Sequence, residues 1–194
     1  AIAEGKLDMV GMTRAFIADP HIVTKIAEGR EQDIRPCVGA TYCLDRIYEG
    51  HEALCIHNPA TGREATMPHV IAKAPKAKHV VIAGGGPAGL EAARIAAERG
   101  HKVTLLEAAS QLGGQIRLAI QVKRRSELIG IADWRASQLE KLGVDIRFNT
   151  IADGESSVQL SLQFLDLARD APEPPPVDPE TIAAAVEACG PNSA

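Results

Sequence analysis

Residues 79–119 constrain this chain more than any other part. An apolar run, HVVIA at 79–83, enters Gly84-Gly85-Gly86-Pro87-Ala88-Gly89, and an alanine-rich segment follows. A second apolar run ends at Glu107, and Leu112-Gly113-Gly114-Gln115 comes after it. A strand, a glycine turn and a helix in this order describe a parallel βαβ unit that receives the ADP half of a dinucleotide. Gly84 suits the tight turn, Gly86 lets a pyrophosphate approach the backbone, and Gly89 lets helix and strand pack closely. Ala88 lies in the same turn, where the helix starting near Pro87 offers unpaired N–H groups to phosphate. Glu107 falls 18 residues beyond Gly89. There it would accept hydrogen bonds from an adenosine ribose and disfavour a ribose 2′-phosphate. Gly113, Gly114 and Gln115 allow a second close approach to a pyrophosphate or flavin; the alternative is a plain connecting loop.

The rest of the chain divides by composition. Residues 7–10 (LDMV) read as a strand ending at Gly11, and Asp19-Pro20 reads as the start of a helix that runs to about Gly29. Residues 31–72 carry several Gly and Pro and no clean periodicity, so irregular structure is expected. After a short Ala/Lys/Pro linker, the pattern predicts strand 79–83, helix 87–99, strand 102–107, helix 124–142 and strand 144–148. This is the first half of a doubly wound sheet. Beyond position 150 Arg169 is the only basic residue against eight acidic ones, and the run 172–176 is proline-rich. That tail is expected to be partly disordered; 158–167 reads as a strand or short helix and 180–187 as a weak helix.

Bulk properties exclude some classes. The net charge of −4 offers no global field for nucleic acid, and Lys123-Arg124-Arg125 reads as a solvated helix start without interleaved aromatics. No apolar stretch spans a bilayer, and no export signal opens the chain. A cytoplasmic setting is expected, without membrane or nucleic-acid partners. The chain begins at Ala1, in what reads as the middle of a larger protein.

Cys37, Cys43 and Cys55 cluster within 19 positions, and Cys189 stands apart in the tail. Clustered thiolates in a glycine-containing loop suit an iron–sulfur centre or zinc. Three are one short of a four-thiolate site; His57, His51 or Asp45 could supply the fourth donor. The alternative is three small buried hydrophobes. Arg35 precedes the cluster and would draw electron density from it. Trp134 reads as core or an interdomain contact.

The segments DMVGMTRAFIADP, RPCVGATYCLDRIYEG, ALCIHNPATGRE and AGGGPAGLEAARIAAERGHKVTLLEA together resemble one family. It is the iron–sulfur flavoprotein branch of the old yellow enzyme-related NADH:flavin oxidoreductases. That branch includes 2,4-dienoyl-CoA reductase, trimethylamine and dimethylamine dehydrogenases, and N-methylproline demethylases. The cysteine segments are most similar to the N-methylproline demethylase-like members. The resemblance covers about three quarters of the chain, residues 5–149.

By that resemblance the fold class is α/β, in four parts. Residues 1–30 would be the last strand and helix of an FMN-bearing (β/α)8 barrel, and 31–72 a cysteine-rich iron–sulfur connector. Residues 79–149 would form an incomplete Rossmann-type FAD- or ADP-binding domain, and 150–194 a divergent tail. Thr13-Arg14 falls where a Gly-Arg pair contacts the FMN phosphate in the intact parent. Cys37, Cys43 and Cys55 fall on the first, third and fourth cluster cysteines. Ala40 stands at the second, and its methyl cannot ligate iron; a three-iron cluster, an atypical four-iron cluster or none would follow. The first seven barrel strands, their catalytic residues and the NAD(P)H-binding motif do not occur in this sequence.

The implied function is the electron-transfer and nucleotide-binding part of a flavin oxidoreductase. Its parent would demethylate or dehydrogenate an N-methyl amine, or reduce an enoyl substrate. The alternatives are a subunit that depends on a barrel-containing redox partner or a homo-oligomer, and a truncated product without activity of its own.

Overall fold

The computed structural model describes residues 2–152. The expectations for 158–167, 180–187 and Cys189 lie outside the described residues.

Three parallel strands form the centre: β1 (His79–Ala83), β2 (Lys102–Leu106) and β3 (Asp145–Arg147), in the order β1-β2-β3. His79 lies opposite Lys102, Ala83 opposite Leu106, and Thr104 opposite Asp145. Val103, Thr104, Leu105 and Leu106 of the middle strand are all buried, as a parallel strand covered on both faces requires. The connection from β1 to β2 is helix α4 (Pro87–Glu98), with proline in its first turn. It closes at Gly100, whose N–H reaches the Ala97 carbonyl while His101 N–H reaches Ala96.

Helix α6 (Gly130–Lys141) packs beside α4. The core between them and the sheet is Leu90, Ala93, Val103, Leu105, Leu112, Ala132 and Leu139. Ala93 and Ala132 are fully enclosed, and side chains this small let the two helices approach closely. The α/β class and its parallel half-sheet therefore stand as the sequence pattern implies.

Four expectations change. Residues 7–10 form no strand: Met9 is 82% exposed, and no strand lies beside them among the described residues to pair their backbone groups. The helix expected after Pro20 forms as the short α2 (Ile22–Ala27), and a second short helix that the sequence did not signal, α1 (Thr13–Ala18), precedes it. Asp19 separates them. Its carboxylate accepts the His21 N–H at 3.0 Å, the Arg35 N–H at 2.8 Å and Lys25 Nζ at 2.5 Å, which holds 19–21 as a turn.

The cysteine connector is not wholly irregular. It contains a 3-10 turn, Glu31–Asp33, and helix α3 (Tyr42–Tyr48). The helix expected over 124–142 begins as a 3-10 segment, Lys123–Ile129, and becomes α-helical only at Gly130. Residues 123–127 are all exposed, so no apolar stripe seats them against the core until Leu128.

Candidate functional site

The glycine turn, Glu107 and the double glycine come together at the ends of β1 and β2. Gly86 caps α4 without any side-chain hydrogen bond, so the N-terminal amides of the helix stay uncapped by protein side chains. At Gly89 a Cβ would run into the Gly84 carbonyl oxygen; the turn closes only because no side chain is there. Glu107 directly follows β2. Its Oε2 accepts the Gly85 N–H at 2.6 Å and its Oε1 accepts the Ala109 N–H at 2.7 Å. The carboxylate thus ties the first glycine turn to the second strand.

The double glycine is more than a connector. Gly113 donates its N–H to the Gly85 carbonyl at 2.8 Å. Gly114, at φ +51°, lies so close that a Cβ would meet Gly86 Cα at 3.2 Å. Gln115 is exposed and precedes the short helix α5 (Ile116–Ala119). Ala88 is exposed in the first turn of α4. A Cβ at Gly84 or Gly86 would meet nothing within 4 Å, so the turn is open at these two glycines, in front of a helix N-terminus of the kind that receives anions.

The cysteines form the second constellation. Cys37, Cys43 and Cys55 are free thiols, the first exposed and the others half-buried. All three line one cleft with Ala40, Tyr42, His57 and Arg14. Thr13 and Arg14 line an adjoining surface cleft with Cys37 and Gly39. Among the described residues no three His, Cys, Asp or Glu side chains converge closely enough to hold a single metal ion. Thr41, between Ala40 and α3, adopts φ +58°, a left-handed conformation uncommon for a β-branched residue. It sets the start of the helix that carries Cys43.

A buried polar frame seats this cleft on the half-sheet. Arg135 of α6 donates to Glu91 of α4 at 2.7 Å, to the Ile131 carbonyl at 3.0 Å and to the His57 carbonyl at 3.1 Å. Arg94 donates to Glu91 and to Glu98, each at 2.6 Å. Burial alone would raise the Glu91 pKa, but Arg94 and Arg135 hold it below the usual carboxylate range. The Asp19 carboxyl behaves the same way: burial opposes, and Lys25 with the Arg35 and His21 amides wins.

Arg35 lies 4.4 Å over the Trp134 ring and donates to Asn58 Oδ1 at 2.9 Å. Burial brings its pKa down to about 10. Asn58 in turn donates to the Ile17 carbonyl at 3.1 Å. Trp134 is buried, as expected of a core residue, and its Nε1–H reaches the Asp33 carbonyl at 3.0 Å.

His57 is fully enclosed, edge-on to Trp134 with ring centroids 5.4 Å apart. Burial, reinforced by the Arg135 charge, lowers its pKa to about 3. Its Nδ1 lies 2.9 Å from the Pro36 carbonyl. That carbonyl can only accept, so Nδ1 carries the proton and Nε2 the lone pair. Nε2 has no partner among the described residues.

Of this frame, sequence reasoning flagged Arg35, His57 and Trp134, read Asp19 only as a helix start, and missed Asn58, Glu91, Arg94 and Arg135. Their partners lie up to 78 residues away, and no local spacing signals them. The one available signal was a run of charged residues, Glu91 and Arg94, inside an otherwise alanine-rich helix.

Comparison with known proteins accords with this geometry. Residues 26–162 match the pyridine nucleotide-disulphide oxidoreductase family. A probable N-methylproline demethylase of Rhizobium meliloti (strain 1021) is 67% identical over 156 residues, which make up 80% of this chain and 23% of that protein. A multifunctional alkene reductase/demethylase of Caballeronia cordobensis is 57% identical over 153 residues, 79% of this chain and 22% of that protein. The solved structure of histamine dehydrogenase from Rhizobium sp. 4-9 superposes with a TM-score of 0.76 at 32% identity, covering 82% of this chain and 24% of that one. The chain thus spans about a quarter of the length of these relatives. With most of its length matched, the chain belongs to the pyridine nucleotide-disulphide oxidoreductase family and is related to the N-methylproline demethylase and dimethylamine dehydrogenase flavoproteins.

Proposed function

We propose that this chain is the electron-transfer and nucleotide-binding part of an iron–sulfur flavin oxidoreductase. The whole protein would act on an N-methylated amine, with an enoyl compound as the other substrate class its relatives suggest. The observation that carries the proposal is the presence, in one described unit, of a glycine turn open at Gly84 and Gly86 before a helix N-terminus and a cleft lined by three free thiols. An oxidoreductase role itself accords with the family match and the demethylase and reductase relatives.

The glycine turn would bind FAD or ADP. Amides of the Gly84–Gly89 turn and of the first turn of α4 would hold the pyrophosphate. Each Glu107 oxygen already accepts one backbone N–H, and a carboxylate oxygen has a further lone-pair direction for a ribose hydroxyl. The same negative charge would turn away a 2′-phosphate. Gly113 and Gly114 let their loop pack against Gly86 and the Ala132 side chain, which would hold the floor of the site in place.

The thiols of Cys37, Cys43 and Cys55 would hold an iron–sulfur cluster. Donors spread along a cleft suit a cluster, where each binds a different iron, better than zinc, which draws its ligands to one point at about 2.0–2.3 Å. A bound cluster and flavin would supply one- and two-electron chemistry respectively. The chain's own contribution would be to fix both groups on one frame and to place the cationic Arg35 and Arg135 near His57, behind the cleft, where their charge would favour the reduced form of a cluster. Residues 1–30 would belong to an FMN barrel, with Thr13 and Arg14 at the phosphate. No catalytic residue is assigned within 2–152.

Anaerobic, iron-replete expression of the full chain, followed by a visible spectrum and iron, sulfide and flavin assays, tests the proposal. A brown protein with bound iron and sulfide, which takes up FAD or ADP, is expected. A colourless protein that binds neither nucleotide would contradict it.

A further inference from the structure

The cleft has three thiols where a four-iron cluster takes four ligands, and Ala40, which stands at the remaining cysteine position by the family resemblance, lines the same cleft. Beside the same thiols lies His57, with a ring that is 0% exposed and an Nε2 atom that has no hydrogen-bond partner. A buried lone pair without a donor is destabilising and calls for a physical explanation. The other ring nitrogen supplies one. Histidines that ligate metals characteristically donate their second N–H to a backbone carbonyl or carboxylate, which fixes the tautomer and aims the free nitrogen. His57 makes that bond, Nδ1–H to the Pro36 carbonyl at 2.9 Å, next to Cys37. The Trp134 edge and the Arg135 contact to the His57 carbonyl fix the ring and its backbone further.

We propose that Nε2 of His57 is the fourth protein ligand of the cluster held by Cys37, Cys43 and Cys55, in place of the thiolate that Ala40 cannot supply. The inference rests on the reading that the cleft holds a cluster. Ligation requires no proton release from the ring, because the proton sits on Nδ1 and the Nε2 lone pair is already bare. The other two candidates fit less well: His51 and Asp45 are exposed and are not among the residues lining the cleft. A cluster with one imidazole ligand carries one negative charge fewer than its all-thiolate counterpart and is easier to reduce.

The test uses the full chain, expressed anaerobically and reconstituted with ferrous iron and sulfide, once with natural histidine and once with 15N-labelled histidine. Pulsed electron paramagnetic resonance of the dithionite-reduced protein reads nitrogen coupling to the cluster directly and needs no variant. A strongly coupled nitrogen that changes with the isotope is expected. His57→Gln should lose it. His57→Cys should keep its iron and sulfide while the nitrogen signal disappears and the reduction potential falls. A cluster without strongly coupled nitrogen in the unsubstituted chain would overturn the inference and leave the cluster itself standing. Absence of iron and sulfide from that chain would overturn both.

Discussion

The half-sheet and the cysteine connector adjoin each other and are built by opposite means. The half-sheet is held by backbone and apolar packing: parallel pairing, two alanine-bearing helices, and glycines where the chain must approach itself. The connector, with only a short helix and a 3-10 turn, is held by buried polar side chains with distant partners. Asn58 reaches Ile17, Arg135 reaches His57, and Trp134 reaches Asp33. A regular element tolerates most single changes at its surface, whereas a polar frame concentrates its stability in a few residues.

The largest effect should come from the turn on which the half-sheet depends. Gly89→Val forces a side chain into the Gly84 carbonyl. It should cost about 3–4 kcal/mol in urea unfolding and abolish FAD and ADP binding. A variant that kept its affinity would show that the turn has room to adjust.

The next effect tests the frame. Glu91→Ala removes the acceptor shared by Arg94 and Arg135 and leaves Arg135 without its carboxylate. The expected loss is about 3 kcal/mol, with the connector unfolding first in hydrogen exchange. Loss confined to α4 would mean that the connector does not depend on it.

Acid should separate the two regions. The folded pKa values of Asp19 and Glu91 lie below their unfolded values, so the unfolded chain binds more protons as pH drops. Their contribution is present above the ordinary carboxylate pKa of about 4 and is lost as pH falls through the folded values. Asp19→Asn should cost about 1–2 kcal/mol at neutral pH and flatten the fall in thermal stability below pH 4. An unchanged pH profile would remove Asp19 from the account.

The smallest effect is expected at the Lys141–Asp33 ion pair, where the lysine is 43% exposed. Lys141→Ala should change stability by less than about 1 kcal/mol. A larger loss in thermal melting would make that contact part of the frame.

The difference between the regions also explains what was legible in the sequence. Periodicity and glycine spacing act over a few residues, so β1, α4, β2 and the sheet's parallel order could be read directly, and Gly84, Gly86, Gly89, Glu107, Gly113 and Gly114 do converge. Helix α3 was missed because Tyr42–Tyr48 is bracketed by a strained Thr41 and by Gly50, with no stripe of buried residues. The strand expected at 7–10 failed because a strand exists only with a neighbour to pair. Spacing brought the cysteines under suspicion, but only the fold shows that they share a cleft with His57.

The central claim is that one short chain carries two separately built sites, and a side-by-side assay of iron, sulfide and bound flavin in three proteins tests it most directly. After anaerobic reconstitution the unsubstituted chain should hold a cluster and take up FAD. Cys43→Ala should lose iron and sulfide yet keep FAD, and Gly86→Val should lose FAD yet keep its iron. A chain that holds neither group, or two variants that lose both together, would contradict the account.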